Sequence, residues 1–353
     1  MAADGPDQIA VDAIVVSGPR AVRTERLFIP GPNADQLIVK VELCGLCTPE
    51  QRVYRGNRAT YPYWGGHELC GVLEHVPPAL DRTLRVNARV AVGLMRRCGQ
   101  CAACRAGLDN HCAYLHPEPR DLLPIGPRGL SDRLVVAPSM VFPVPDTLPA
   151  EKVALAEPVA CSLHSVRQAA PRKGETALVI GGGTMGLIHI VLLTLRGCRV
   201  FVVDDDAATA SACEAAGASF LGPFAVLDEL GPLASLTQGW GHDVVVCTRF
   251  GARAIEAASR VAARGGRIVL YQSIDGADEV RLSANLLHYR ELQLIGTIAQ
   301  TSADITAAIE LLAAHADRFD CLSVETIPVT QPQKAFECAI QPQVNRVMLD
   351  FRH

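Results

Sequence analysis

Residues 9 to 43 alternate apolar and polar side chains over short spans, as in IAVDAIVVS and QLIVKVEL, with turn-forming clusters such as IPGPNAD between them. Period-two alternation bounded by Gly and Pro predicts strands with one buried face. The character returns at Gly71 to Val76 and Ala88 to Val92, so the first part of the chain reads as β-rich. A helical period follows from Pro149 to Ala170. Beyond Thr176 the pattern changes. Near-continuous apolar runs at Val200–Asp204, Ser219–Leu221, Asp243–Cys247, Arg267–Tyr271 and Leu292–Gly296 alternate with helix-period segments such as Ala207–Ala216 and Ala252–Ala262. Strands buried on both faces by crossover helices have this signature, so a doubly wound parallel sheet is expected. The tail carries a helical pattern at Ala303–Ala314 and strand patterns at Ser323–Val329 and Arg346–Phe351. It has no core of its own and is expected to return to the first domain.

The α/β part opens with TALVIGGGTMGLIHIVLLTLRGCRVFVVD, Thr176 to Asp204. The apolar run Ala177–Ile180 enters G-x-G-x-x-G, formed by Gly181, Gly183 and Gly186 with Thr184 and Met185 between, and this runs directly into a helical period. Gly181 permits a sharp turn, Gly183 lets backbone approach a pyrophosphate, and Gly186 lets the helix lie close to the strand. The helix start supplies free N–H groups and a positive dipole end for phosphates. Asp204 closes the next strand 18 residues past Gly186. There it would accept hydrogen bonds from both ribose hydroxyls and repel a 2′-phosphate. With Asp205 and Asp206 behind it, this favours NAD over NADP.

Composition narrows the class. A chain of 353 residues, 49% hydrophobic and 20% charged, is long enough for two domains with ordinary cores. The net charge is −4 and no block of like charge stands out, so neither nucleic acid nor an anionic membrane is an expected partner. The N-terminal MAADGPDQIAVDA lacks a basic and an apolar leader region, which predicts a cytoplasmic protein. The 13 cysteines are an odd number in a large chain, and several fall in metal-ligand contexts, so reduced thiols and zinc are expected rather than disulfides.

Cys98, Cys101, Cys104 and Cys112 form C-x2-C-x2-C-x7-C. Four thiolates this close can wrap a tetrahedral ion with no open position, which makes a structural zinc site. His111 inside the loop is expected to be a solvated neighbour. A second set is dispersed: Cys47 in CGLCTPE, His67 and Glu68 in GGHELCG, and Glu157 in AEPVACSLHS. Three ligands remote in sequence leave an open position on zinc, as catalytic sites do. Taken singly, Cys44 or Cys47 also reads as a buried thiol, His67 as a core histidine, and Glu157 as a helix-end acid.

In joint order these motifs resemble the zinc-dependent medium-chain alcohol and polyol dehydrogenases over nearly the whole chain. C-G-x-C near residue 45, G-H-E at 66 to 68, the cysteine lobe with Gly107 and Asn110, E-P-x-A-x-x-x-H from Glu157 to His164, G-x-G-x-x-G, and YRELQLIGTIAQTSADITAAIELL all carry the likeness. The resemblance implies a β-rich GroES-like catalytic domain, residues 1–163 and 300–353 with a zinc lobe at 95–115, and a Rossmann NAD-binding domain, 164–299. It implies a catalytic zinc on Cys47, His67 and Glu157, with Glu68 beside it as an alternating ligand or a neighbour of one. Glutamate at 157 places the chain nearer the sorbitol and threonine dehydrogenase branch, and His164 is expected to be structural. Tyr271, Gln272 and Ser273, with Gly296 to Ala299, match the region lining the nicotinamide. The implied chemistry is hydride transfer between a zinc-polarised alcohol or ketone and the dinucleotide in a cleft between the domains. The implied assembly is a homodimer or homotetramer.

The chain also departs from the pattern. Thr48, Pro49 and Glu50 follow the zinc cysteine, and Pro49 stands where a hydroxyl commonly starts the proton relay. The proton is then expected to leave through Glu68, Thr48 or water. Glu50 replaces an aspartate and is expected to hydrogen-bond His67. The segment RVYRGNRATYPYW, Arg52 to Trp64, mixes Arg and aromatic residues before His67. It favours a polar substrate such as a polyol, cyclitol, amino alcohol or sugar, or else covers a surface loop. Arg120, Asp121 and Arg128 are cleft candidates or solvated charges. An NADH-dependent biosynthetic ketone reductase, and a scaffold that has lost catalysis but keeps zinc and dinucleotide, are the alternative functions.

Overall fold

The computed structural model describes residues 8–80, 84–115, 125–274, 279–341 and 345–352. Arg120 and Asp121 lie outside them. The chain divides into two compact units: residues 1–157 with 301–316 and 323–353, and residues 158–300 with 317–322. Among the described residues no helix is long and apolar enough to cross a membrane.

The first unit is built on a seven-stranded, mostly antiparallel sheet. Its spatial order runs Val324–Pro328, Arg346–Asp350, Leu37–Gly45, Glu68–His75, Arg89–Val92 and Val141–Pro143, and Arg133–Val136 also pairs with Leu37–Gly45. A separate hairpin joins Gln8–Gly18 to Ala21–Pro30. The tail therefore returns to the first part, as its lack of a core predicts: Met348 pairs with Gly45 and Leu349 with Cys44. Inward positions of these strands, among them Val11, Val39, Leu69, Leu73, Val90 and Val347, form one apolar cluster with Phe336 of the helix Pro332–Ala339.

Register in this sheet brings the dispersed motifs together. Gly45 pairs with Glu68, so the chain leaving one strand toward Cys47 runs beside the chain entering the next from His67. Leu46 donates its N–H to the Val347 carbonyl, which draws Arg346 to the same end. Gly66, at φ +92°, precedes His67, and a Cβ there would stand 2.5 Å from the Leu130 nitrogen, so only glycine fits the turn.

The second unit holds six parallel strands in spatial order Ala218–Gly222, Arg199–Val203, Thr176–Ile180, His242–Cys247, Ala262–Leu270 and Gln293–Gly296. In chain order these run third, second, first, fourth, fifth, sixth. That is the doubly wound arrangement, whose reversal point falls beside the first strand. Short helices at Leu230–Leu236 and Ala284–Arg290 escape the sequence pattern. The first opens with a glycine and a proline, both poor helix formers, and the second buries no residue, so its pattern carries no apolar stripe.

Candidate active site

Cys47 stands at the N-cap of the helix Thr48–Arg55, and Pro49 lies in the first turn. A missing N–H costs nothing at that position, which is why proline is tolerated there. Glu50, the third helical residue, is fully buried and ties the site together. Its Oε2 accepts the Cys47 N–H at 3.1 Å. Its Oε1 accepts the Gly66 N–H at 2.9 Å and the Tyr63 hydroxyl at 3.2 Å, and lies 3.5 Å from His67 Nδ1. Cys47, Glu50 and His67 offer ligand atoms within 4.8 Å of one another, and so do His67, Glu68 and Glu157, so His67 is common to both groups.

Glu68 is buried beside Arg346, whose Nε lies 3.1 Å from Oε2, and its Oε1 has no hydrogen-bond partner among the described residues. The donor set suits a cation. Burial raises the Cys47 thiol, helped by Glu68 and opposed by Arg346 and His67. Burial disfavours a charged His67, but Glu50 and Cys47 outweigh it and hold the imidazole well above its ordinary value. A thiol, an imidazole and carboxylates within ligand reach of one another are the donors a divalent ion takes once the thiol and imidazole give up their protons. Nothing in the sequence marks Arg346, and Tyr63 is marked there only as part of the segment Arg52–Trp64, not as a partner of Glu50. Arg346 sits in an unremarkable strand, RVMLD, and no local motif marks it.

In the segment Arg52–Trp64 most of the aromatic residues serve the fold. Tyr54, Tyr63 and Trp64 are buried in the core, and the Tyr61 hydroxyl bonds the Val53 carbonyl at 2.6 Å. Arg55 and Arg58 are exposed, and Arg55 donates to the Ile340 carbonyl. Thr48 is exposed. Arg128 stacks over Trp64, 5.7 Å from the ring centroid.

Cys98, Cys101, Cys104 and Cys112 converge with Sγ atoms within 4.8 Å of one another. Backbone N–H groups of Cys98, Gln100, Cys101, Cys104 and Tyr114 point at these sulfurs, at 3.2 to 3.5 Å. Donors from Ala113 and Cys104 pull the Cys101 thiol down to about 6. The named N–H donors reach Cys98, Cys101 and Cys112 and favour their thiolates, the form that binds zinc, while burial and the neighbouring thiols push Cys104 up to about 12. His111 is exposed, as expected of a solvated neighbour.

In the second unit Gly183 caps the helix Thr184–Leu195, with Met185 in its first turn. His189 of this helix is buried, bonded to the Met185 carbonyl and the Ser165 hydroxyl at 2.6 Å each, with Tyr271 edge-on at 4.6 Å. Tyr271 and Ser273 follow the strand Ala262–Leu270. Asp204 is buried at the end of Arg199–Val203, its Oδ2 accepting the Gly182 N–H at 2.7 Å. These glycines leave an open cradle at Gly183, where a Cβ would meet nothing within 4 Å, so the turn fits a pyrophosphate.

The geometry is that of a nicotinamide- and zinc-dependent dehydrogenase. Residues 33–146 match the family description "Alcohol dehydrogenase GroES-like domain", and residues 184–314 match "Zinc-binding dehydrogenase". The chain belongs to the zinc-dependent medium-chain alcohol and polyol dehydrogenase family. It is 26% identical to sorbitol dehydrogenase of Bacillus subtilis (strain 168) over 338 residues, 93% of each chain. It is 26% identical to an erythritol/L-threitol dehydrogenase of Mycolicibacterium smegmatis over 345 residues, again 93% of each. A zinc-binding dehydrogenase of Sinorhizobium meliloti 1021, solved bound to NADP, superposes with a TM-score of 0.84 at 26% identity, covering 97% of this chain and 100% of that one.

Proposed function

We propose that the protein oxidises a secondary alcohol of a polyol, cyclitol, amino alcohol or sugar-like substrate, or reduces the matching ketone, with Cys47, His67 and Glu157 holding the catalytic zinc. The observation that carries this is the convergence on His67 of a thiol on one side and two carboxylates on the other, from three separate stretches of chain. Bound zinc would supply a Lewis acid that lowers the pKa of the substrate hydroxyl, and the dinucleotide a hydride acceptor. The chain's own residues do the rest. Glu50 takes the Nδ1 side of His67, which leaves Nε2 as the ligand nitrogen, and it fixes the ring against Gly66 and Tyr63. Arg346 balances Glu68 and keeps a second carboxylate in reach of the ion. Pro49 offers no hydroxyl, so the proton leaves by way of Glu68, Thr48 or water.

Similarity to dehydrogenases named for sorbitol and for erythritol and threitol supports a polyhydroxylated substrate. Exposed apolar residues around the outer strand Gln293–Gly296, namely Tyr289, Leu294 and Ile298, support a homodimer or homotetramer formed through the nucleotide unit, and the cytoplasm is the compartment we assign. The test is a panel of polyols, cyclitols, amino alcohols and sugars assayed for NAD(P)H formation, and of their ketones for its consumption, by the zinc-loaded protein. Turnover of a vicinal polyol above that of simple aliphatic alcohols is expected. No turnover in either direction, with zinc present, would leave only a nucleotide- and zinc-binding scaffold.

A further inference from the structure

The acidic run Asp204, Asp205 and Asp206 is turned inward rather than toward a ligand. Asp204 Oδ1 accepts the Asp206 N–H at 2.9 Å and pairs with Arg249 Nη1 at 2.7 Å, while Oδ2 holds the Gly182 N–H. Asp205 Oδ1 accepts the Phe224 N–H at 2.9 Å, and Asp206 Oδ1 accepts the Ala208 N–H at 3.0 Å. Each carboxylate is thus engaged by the chain itself, and the charge of Asp204 is met by a guanidinium in direct contact. What this end of the sheet presents outward is basic and aromatic. The Arg249 side chain is 53% exposed and stacks on Phe250 at 5.3 Å. Phe250 packs on Phe224 at 4.7 Å, and Arg253 lies over the far ring at 5.0 Å.

An acid at the end of the second strand repels a 2′-phosphate less once a cation in direct contact offsets its charge, and a nearby arginine can accommodate that phosphate. Here two N–H groups and an arginine already satisfy Asp204. A guanidinium has five N–H donors in a planar fork, so it can keep one on the carboxylate and turn others to a phosphate. Arg249 follows the strand His242–Cys247 and leans over the glycine turn: a Cβ on Gly181 would stand 2.6 Å from the Arg249 Cβ. It is therefore placed beside both the ribose-facing acid and the phosphate turn.

We propose that the adenosine end of the dinucleotide site accepts a 2′-phosphorylated ribose as well as a plain one, and that Arg249 is the residue that decides the ratio. The proposal rests on the dinucleotide-binding reading of this turn, and the experiment separates the two. Calorimetric titration of the zinc-loaded protein with ADP-ribose and with 2′-phospho-ADP-ribose gives a ratio of dissociation constants independent of turnover. Wild type is expected to bind the two within tenfold of each other. Arg249→Ala shifts the ratio at least tenfold against the phosphorylated ligand, and Arg249→Lys, which keeps the charge but loses the fork, shifts it less. A wild type that disfavours the phosphorylated ligand by more than a hundredfold, or an unchanged ratio in Arg249→Ala, overturns the proposal alone. Binding of neither ligand overturns the dinucleotide reading, and the proposal with it.

Discussion

Gly183 and Gly186 stand in the same turn and should fail in opposite ways. A Cβ on Gly186 would lie 1.9 Å from the Gly181 carbonyl oxygen and 2.9 Å from its carbon, both backbone atoms that no rotamer change can move. Restoring ordinary contact needs the first turn of Thr184–Leu195 to retreat by about 1.5 Å from the strand it packs on, an overpacking that costs about 1–3 kcal/mol or more. Gly183 has φ −70° and ψ −170°, which any residue adopts, and empty space around its Cβ position. Gly183→Ala should therefore fold at least as stably as wild type, with a gain of about 0.4–1 kcal/mol from the stiffer unfolded chain. Its methyl would occupy the space through which backbone N–H groups meet the pyrophosphate, so NADH affinity should fall at least tenfold, or about 1.4 kcal/mol. Urea unfolding and NADH fluorescence titration on both variants separate the effects. Wild-type NADH affinity in Gly183→Ala would refute the assignment of this turn to the pyrophosphate, and wild-type stability in Gly186→Ala would refute the packing argument.

Three other outcomes follow from the same geometry. Burial holds His189 and His242 at about 4, below the ordinary imidazole value, so the unfolded chain binds more protons between about pH 4 and 6.5. Stability is full above that window and falls as pH drops through it, by up to about 3 kcal/mol per histidine; His189→Gln should flatten the pH dependence of the urea midpoint, and an unaltered slope would count against it. Glu50→Gln removes the charge that orients His67 and should weaken the metal at that site by about 10- to 100-fold in a chelator competition, whereas undiminished affinity would deny Glu50 its positioning role. Cys104→Ser should release one zinc per chain and lower the unfolding midpoint, because the lobe around Cys98–Cys112 is held by sulfur rather than by an apolar core; a variant that keeps both zinc ions and full stability would contradict this.

Much of this was legible in the chain because the informative features are local. The parallel sheet shows as apolar runs, the phosphate turn as glycine spacing, and the cysteine lobe as four thiols within fifteen residues, Cys98 to Cys112. The dispersed site was legible only through the joint order of its motifs, since the register pairing Gly45 with Glu68 is a long-range property. Arg346 and Arg249 were not legible: each acts through a partner far away in sequence, on Glu68 and Asp204 respectively. The aromatic stretch before His67 misleads for the converse reason. Composition marks Tyr54, Tyr63 and Trp64 as potential ligand contacts, and only packing reveals that they fill the core.

The central claim is that Cys47, His67 and Glu157 share one zinc ion apart from the cysteine lobe. Elemental analysis of zinc per chain tests it most directly, on wild type and on His67→Ala. The account predicts two in the wild type and one in the variant, with the lobe's ion retained. One zinc in the wild type, or two in His67→Ala, would contradict it.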